Sequence, residues 1–321
     1  MKNLQSRKTL VAHLAVAGIA TLGFAAPALA DFPEKPITIM VGFGAGGGTD
    51  TLARLVAKNA EAALGQPIVV ENVPGGGGIV AATKLMNADP DGYTIGMAVT
   101  STFSYAPQAS DTVKYNVGNF DYVTSVAGLQ NCVVASKDAP FNTWEDVVRL
   151  SKEGKKLSFG TPSPSASLAI DYANRESGIE MKMVPVKGGA QIMKDVMGGH
   201  LDMGWSAGIH QKFGDQLKVI VTTDSARLKS APDVQTLREL GVEVGSKNYF
   251  MMFAPKGIPA DRLEKLINAL STAARSDDVK SLAEDKMGFP IEVVTGEDLR
   301  AHVQESEADY KRLIDLSKAA K

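Results

Sequence analysis

An α/β fold is the prediction for this 321-residue chain, and three observations make it. Short runs rich in β-branched residues alternate with segments of helical spacing. Glycine-rich loops follow the first two runs. The composition is that of an ordinary globular protein, 44% hydrophobic and 22% charged, which excludes a disordered or collagen-like chain. The length suits about two domains. With 34 Lys and Arg against 36 Asp and Glu, a nucleic-acid partner or a polybasic membrane patch is not expected. Cys132 is the single cysteine, so no disulfide forms within the chain.

Residues 1–30 read as a secretory signal peptide. Lys2, Arg7 and Lys8 precede an apolar run from Thr9 to Ala26, and Ala28-Leu29-Ala30 gives a small-x-small cleavage pattern. An N-terminal membrane anchor is the competing reading; His13 interrupts the run, which is Ala- and Gly-rich and weakly hydrophobic for a spanning helix. No cysteine stands at the cleavage site, so no lipid anchor is expected. The expected product starts at Asp31, without stable membrane insertion, in the periplasm of a Gram-negative bacterium; secretion to the medium is the alternative.

The pattern after the leader is strand, helix, strand, helix, strand. Ile37–Val41 is the first strand. Leu52, Leu55, Val56, Ala60, Ala63 and Leu64 carry helical spacing that Gly65 and Pro67 end. Ile68–Val70 is the second strand, Ile79 to Asn87 a helix, and Tyr93–Val99 the third strand after the turn Asp89-Pro90-Asp91-Gly92. This order predicts a parallel sheet with right-handed crossovers. The alternation resumes with strands at Leu157–Gly160, Met181–Val186 and Leu217–Thr222 and helices at Ala166–Arg175 and Gln191–Met197. Asp261–Ala274 and a final amphipathic helix through Leu299, Val303, Tyr310, Leu313 and Ile314 make the end of the chain helical.

The two glycine loops are the most informative feature. Gly42-Phe43-Gly44-Ala45-Gly46-Gly47-Gly48 leads into Thr49-Asp50, and Pro74-Gly75-Gly76-Gly77-Gly78 leads into the next helix. In a parallel sheet both lie at the carboxyl edge, where open α/β folds bind ligands. Glycine permits close approach of backbone N–H groups, and each helix adds partial positive charge. Together they predict an anion site without Lys or Arg. Tight turns are the plain alternative. Gly42-x-Gly44-x-x-Gly47 also matches a dinucleotide fingerprint with Glu71 at the end of the second strand, but an exported chain and the second glycine loop both argue against a dehydrogenase. A phosphate-binding Walker loop fails because Gly48 takes the lysine position.

No specific catalytic signal stands out. Past the leader the histidines are His200, His210 and His302, without zinc-type spacing. His200 and His302 read as solvated surface residues and Cys132 as a buried small hydrophobe. Phe43, inside the first loop, and Trp205 are candidate ligand contacts, with core packing as the alternative for each. Asp50 would repel an anion directly, so it reads as a group that holds the loop or an ordered water.

Pro36-Ile37-Thr38 through Ala45-Gly46-Gly47-Gly48-Thr49-Asp50, with Ala53-Arg54, resembles the Bug family, the solute-binding proteins of tripartite tricarboxylate transporters. Glu71-Asn72-x-Pro74-Gly75-Gly76-Gly77-Gly78-Ile79, Val184-Pro185-Val186-Lys187-Gly188-Gly189-Ala190, Gly198-Gly199-His200-Leu201-Asp202, Pro232-Asp233-Val234 and Phe253-Ala254-Pro255-Lys256-Gly257 are similar to further motifs of that family. The resemblance spans residues 32–321. It implies a two-lobed binding protein of the Venus-flytrap, type II-like class, with lobe one from 31–129 plus 249–321 and lobe two from 130–248. It implies capture of a small organic carboxylate, di-/tricarboxylate or aromatic, and delivery to membrane carrier subunits by a monomer with no cofactor and no enzymatic activity. A sensor feeding a signalling partner is the alternative. The second-lobe loop, usually glycine-rich, reads Gly160-Thr161-Pro162-Ser163-Pro164-Ser165-Ala166-Ser167, which puts hydroxyl donors in the selectivity lobe; Val186 stands where an aromatic residue is common. The candidate ligand-binding residues are Phe43, Gly44, Ala45, Gly46, Gly47, Thr49, Asp50, Pro74, Gly75, Gly76, Gly77, Gly78, Thr100, Ser101, Ser163, Ser165, Ser167 and Trp205; no catalytic or metal-binding residue is expected.

Overall fold

Ile37, Ile39 and Val41 are buried while Thr38 and Met40 between them are part-exposed, so the period-2 pattern turns one face of β1 (Ile37–Val41) inward. The protein is seen in a computed structural model that describes residues 32–186 and 188–319; the leader read from residues 1–30 lies outside the described residues. After β1 come α1 (Gly48–Leu64), β2 (Ile68–Asn72), α2 (Ile79–Met86) and β3 (Thr94–Val99). Helix α1 starts at Gly48, and Gly65 ends it in the left-handed region. Two short helices, α3 (Ser101–Ser104) and α4 (Ala106–Ala109), lead to β4 (Phe120–Gly128).

The second sheet is built from β5 (Cys132–Ser136), α5 (Trp144–Lys152), β6 (Ser158–Thr161), α6 (Pro164–Glu176), β7 (Lys182–Pro185), α7 (Gly189–Met197), β8 (Met203–Ser206) and, after a 3₁₀ stretch at Ile209–Gln216, β9 (Leu217–Thr222). The chain then returns through β10 (Tyr249–Pro255), α8 (Ala260–Ala274), α9 (Asp277–Lys280), a π-helical turn at Ser281–Lys286 and α10 (Gly296–Ala319).

Strand order is β2-β1-β3-β10-β4 in sheet one and β7-β6-β8-β5-β9 in sheet two. In each sheet four strands run in one direction and the fourth in order runs antiparallel to both of its neighbours. The sheets are therefore mixed rather than purely parallel. The reason is connectivity: β5 is the first strand after the chain crosses to sheet two, and β10 the first after it crosses back, and each inserts beside a βαβαβ unit. Both faces of β4 and β10 are covered, so every residue of both strands is buried. Helix α10 spans about 36 Å at the usual rise. Leu299 and Val303 on it enter the core of sheet one, and Leu313 enters the core of sheet two.

Candidate functional site

The carboxyl ends of the parallel strands in both sheets meet at one cavity of about 940 Å³. Loops after β1, β2 and β3 line it from one side, and loops after β6, β7 and β8 from the other. Open α/β sheets place ligands at this edge. The two glycine loops lie against each other here, since a Cβ on Gly42 would stand 2.8 Å from the Gly78 Cα. Gly76, Gly77 and Gly78 all hold positive φ, at 58°, 67° and 98°. Only glycine repeats that conformation without strain, which is why the second loop is a glycine run.

Several loop amides are used internally. The Gly46 N–H donates to Asp50 Oδ2 at 2.8 Å, Gly47 N–H to Gly44 O at 3.4 Å and Gly78 N–H to Gly75 O at 3.1 Å. The amides of Gly48 and Thr49, in the first turn of α1, and of Gly76 and Gly77 find no acceptor among the described residues. The potential anion cradle is thus the start of α1 together with the turn before α2. Thr102 Oγ1 donates to Gly77 O at 2.7 Å and fixes the second loop from below.

Asp50 is buried beneath the first loop. Its Oδ1 accepts from Asn72 Nδ2 at 2.8 Å and lies 3.0 Å from Arg54 Nη2, which also donates to Asn72 Oδ1. Burial pushes the carboxyl up, but the bonds from Arg54, the Gly46 N–H and Asn72 outweigh it and leave the pKa below its ordinary value. Asp50 holds the loop shape, and Arg54 is spent on Asp50 and Asn72.

Of the residues expected at the site, Phe43, Gly44, Gly47, Thr49, Pro74, Gly75, Gly76, Gly77, Ser101, Ser163, Ser165 and Trp205 line the cavity. Ala45 and Gly46 form the exposed outer bend of the first loop, Asp50 and Gly78 lie buried under the loops, and Ser167 sits further along α6, outside the lining. Thr100 is buried; its Oγ1 accepts the Tyr249 N–H at 2.9 Å and ties β3 to β10. Ser163 caps α6 by accepting the Ala166 N–H at 3.3 Å, and its Oγ is 3.0 Å from that of Ser165.

Sequence reasoning missed Tyr105, Asn248, Phe250, Phe289 and Tyr310, all of which line the cavity. Phe250 lies in an uninterrupted apolar strand where no alternation marks it, and Phe289 follows an irregular turn. Asn248 Oδ1 accepts the Ser101 N–H at 3.0 Å, and its Nδ2 donates to Ser246 O and to the Tyr310 hydroxyl. It links the end of β3 to the crossing segment and to α10. Charged groups at the cavity are matched: Arg238 lies 3.9 Å from Asp309, and Arg312 lies 3.2 Å from Glu243.

The histidines take different places. His200 is exposed, whereas His302 is half-buried, its Nε2 3.0 Å from Lys247 O and its ring against Tyr249. The rest of its helix surface is charged, which is why the sequence suggested a solvated position. His210 is buried beside Ser206 and Cys132. Among the described residues no group of three or more His, Cys, Asp or Glu side chains forms a candidate metal site, and no helix is long and apolar enough to cross a membrane.

Two α/β lobes of like topology around one cavity, lined by loop residues whose amides lack acceptors, have the architecture of a bilobal solute-binding protein. Residues 52–318 match the tripartite tricarboxylate transporter family receptor, and the chain belongs to that family. It is 30% identical over 302 residues to a UPF0065 protein in the gbd 5′ region of Cupriavidus necator, covering 89% of each chain. Among solved structures it is similar to the periplasmic binding protein BugD (26% identity, TM-score 0.75, 89% of this chain and 99% of that one). It is also similar to MatC from Rhodopseudomonas palustris with bound malate (26% identity, TM-score 0.74, 88% and 100%).

Proposed function

We propose that this chain is a periplasmic solute-binding protein that captures a small organic carboxylate between its lobes and hands it, unchanged, to the membrane carrier subunits of a tripartite tricarboxylate transporter. The observation that carries this reading is the set of amides without acceptors at Gly48, Thr49, Gly76 and Gly77, residues that line a cavity where no described lining cation lacks an acidic partner. Oriented dipoles at a helix start attract a carboxylate without a cationic side chain. The malate held by MatC, a protein of the same fold and 26% identity, supports the ligand class. In this reading 31–129 plus 249–321 form the carboxylate-holding lobe, 130–248 form the closing lobe, residues 1–30 are removed on export, and the protein acts as a monomer without cofactor.

Calorimetry with a panel of mono-, di- and tricarboxylates, followed by mass spectrometry of the recovered ligand, tests the reading. Binding with full recovery of the ligand is expected; turnover would make the protein an enzyme instead. Gly76→Val should weaken binding about tenfold or more, the scale of one lost hydrogen bond to a charged group, whereas Thr49→Ala should change it only a few-fold. If Gly76→Val binds normally while Arg54→Ala abolishes affinity in folded protein, the amide cradle is wrong.

A further inference from the structure

Gly48, the first residue of α1, stands against an apolar wall. A Cβ on Gly48 would lie 3.4 Å from the Met287 methyl, 3.5 Å from the Phe289 ring and 3.6 Å from the Phe250 ring. Phe250 and Phe289 meet edge to face, with ring centroids 4.8 Å apart at 61°. Phe289 is also gripped from the other lobe, because a Cβ on Gly208 would stand 2.6 Å from its ring. Both rings border the cavity, and Trp205 on β8 presents a further aromatic surface from sheet two. On one flank Tyr105 and Tyr310 form a second edge-to-face pair at 5.3 Å.

A ligand whose carboxylate sits on the Gly48 and Thr49 amides therefore places its adjoining carbons against Phe250 and Phe289. A hydroxyl at that point would lose water without gaining a partner, at a cost on the order of 1–3 kcal/mol. Second and third carboxylates would have to rely on hydroxyls such as Ser163 and Ser165, because the lining cations Arg238 and Arg312 already have the acidic partners Asp309 and Glu243. A flat ring, in contrast, offers edges and faces to walls on both lobes. We propose that the cavity selects a carboxylate carried on an aromatic ring over compact hydroxylated di- and tricarboxylates, with Phe250 and Phe289 as the selecting wall; the proposal rests on the carboxylate reading above.

Calorimetry with benzoate, phenylacetate, 2-naphthoate, cyclohexanecarboxylate, malate, citrate and the neutral amide benzamide separates the possibilities. The expected result is that at least one aromatic acid binds about tenfold or more tighter than malate, citrate and cyclohexanecarboxylate, and that benzamide does not compete. Phe289→Leu, or Phe250→Leu should the first variant not fold, should then weaken that aromatic acid about three- to tenfold and weaken malate by less. Malate or citrate binding as tightly as the aromatic acids overturns the proposal and leaves the carboxylate reading standing, as does equal binding of cyclohexanecarboxylate. Benzamide binding as tightly as benzoate overturns the carboxylate reading itself, and the proposal with it. Binding of none of these compounds to folded protein overturns both.

Discussion

His210 and Asp224 flank Cys132 in the interior, and their environments push them in opposite directions. Ser206 Oγ accepts the N–H groups of Gly208 and His210, so its one hydrogen goes to His210 Nδ1 at 2.9 Å. Nδ1 is then an acceptor and the imidazole is neutral; burial lowers its pKa to about 4. Asp224 accepts from the Asn131 N–H at 3.0 Å and from Asn131 Nδ2 at 2.7 Å. Burial outweighs those bonds and raises its pKa to about 7. Asp224, raised above its unfolded value, contributes stability that is full below about pH 4 and lost as pH rises through 7. His210, depressed, contributes stability that is full above about pH 6.5 and lost as pH falls through 4. Between these limits the two slopes oppose each other, each up to about 1.4 kcal/mol per pH unit. Urea unfolding of Asp224→Asn across pH 4–6.5 should show stability rising with pH more steeply than in the unsubstituted chain. His210→Gln should show it falling with pH. Parallel curves for all three proteins would mean that neither group titrates as its burial implies.

At the level of elements, α10 serves two cores. Leu299 and Val303 pack with β4 and β10 residues of sheet one, while Leu313, 4% exposed, packs with sheet-two residues including Ile170 and Ala173 of α6. Arg175 Nη1 on α6 donates to Ser317 O at 2.8 Å near the helix end. Leu313→Ala should cost about 2–4 kcal/mol and Leu299→Ala a similar amount. Hydrogen exchange tells them apart: the first should speed exchange in α6 and the second in β4. Identical exchange patterns would show that α10 couples the lobes into one cooperative unit. The helix itself was legible in the spacing of Leu299, Val303 and Leu313, but periodicity cannot say that one apolar stripe meets two partners. Local chemistry made other parts readable, above all the glycine loops, whose positive φ values require the residues the sequence shows. The strands β4 and β10 were unreadable for the opposite reason. Buried on both faces, they carry no alternation, and their antiparallel pairing joins residues more than a hundred positions apart. Phe250 and Phe289 were missed with them, because their place beside Gly48 follows from that pairing and not from any local motif.

On the scale of the whole molecule, several polar contacts join the lobes, Arg175 to Ser317 O and Ser246 to Ser306 among them, and one carbonyl accepts two more. Gly288 belongs to a segment tied to β4 by the Gly128 N–H to Pro290 O bond at 2.9 Å and the Ala127–Ile291 bridge. Its carbonyl accepts from Gln211 Nε2 at 2.9 Å, from the 3₁₀ stretch of sheet two, and from Gln130 Nε2 on the crossing segment. The Gln130 contact travels with the crossing itself, whereas Gln211 reaches across from one lobe to the other, as Arg175 does to Ser317 O. A ligand held by both lobes binds fully only when they are together, and its apparent affinity scales with the population of that state. One hydrogen bond of net worth about 0.5–1.5 kcal/mol shifts such an equilibrium about two- to tenfold. Gln211→Ala should therefore weaken the tightest carboxylate of the panel by about that factor, chiefly through faster dissociation, with little change in the urea midpoint. Small-angle scattering of the ligand-free variant should give a larger radius of gyration than the unsubstituted chain, and saturating ligand should remove the difference. Unchanged affinity together with unchanged dimensions would mean that the Gln211–Gly288 contact does not govern closure, and that the other contacts between the lobes set the angle between them.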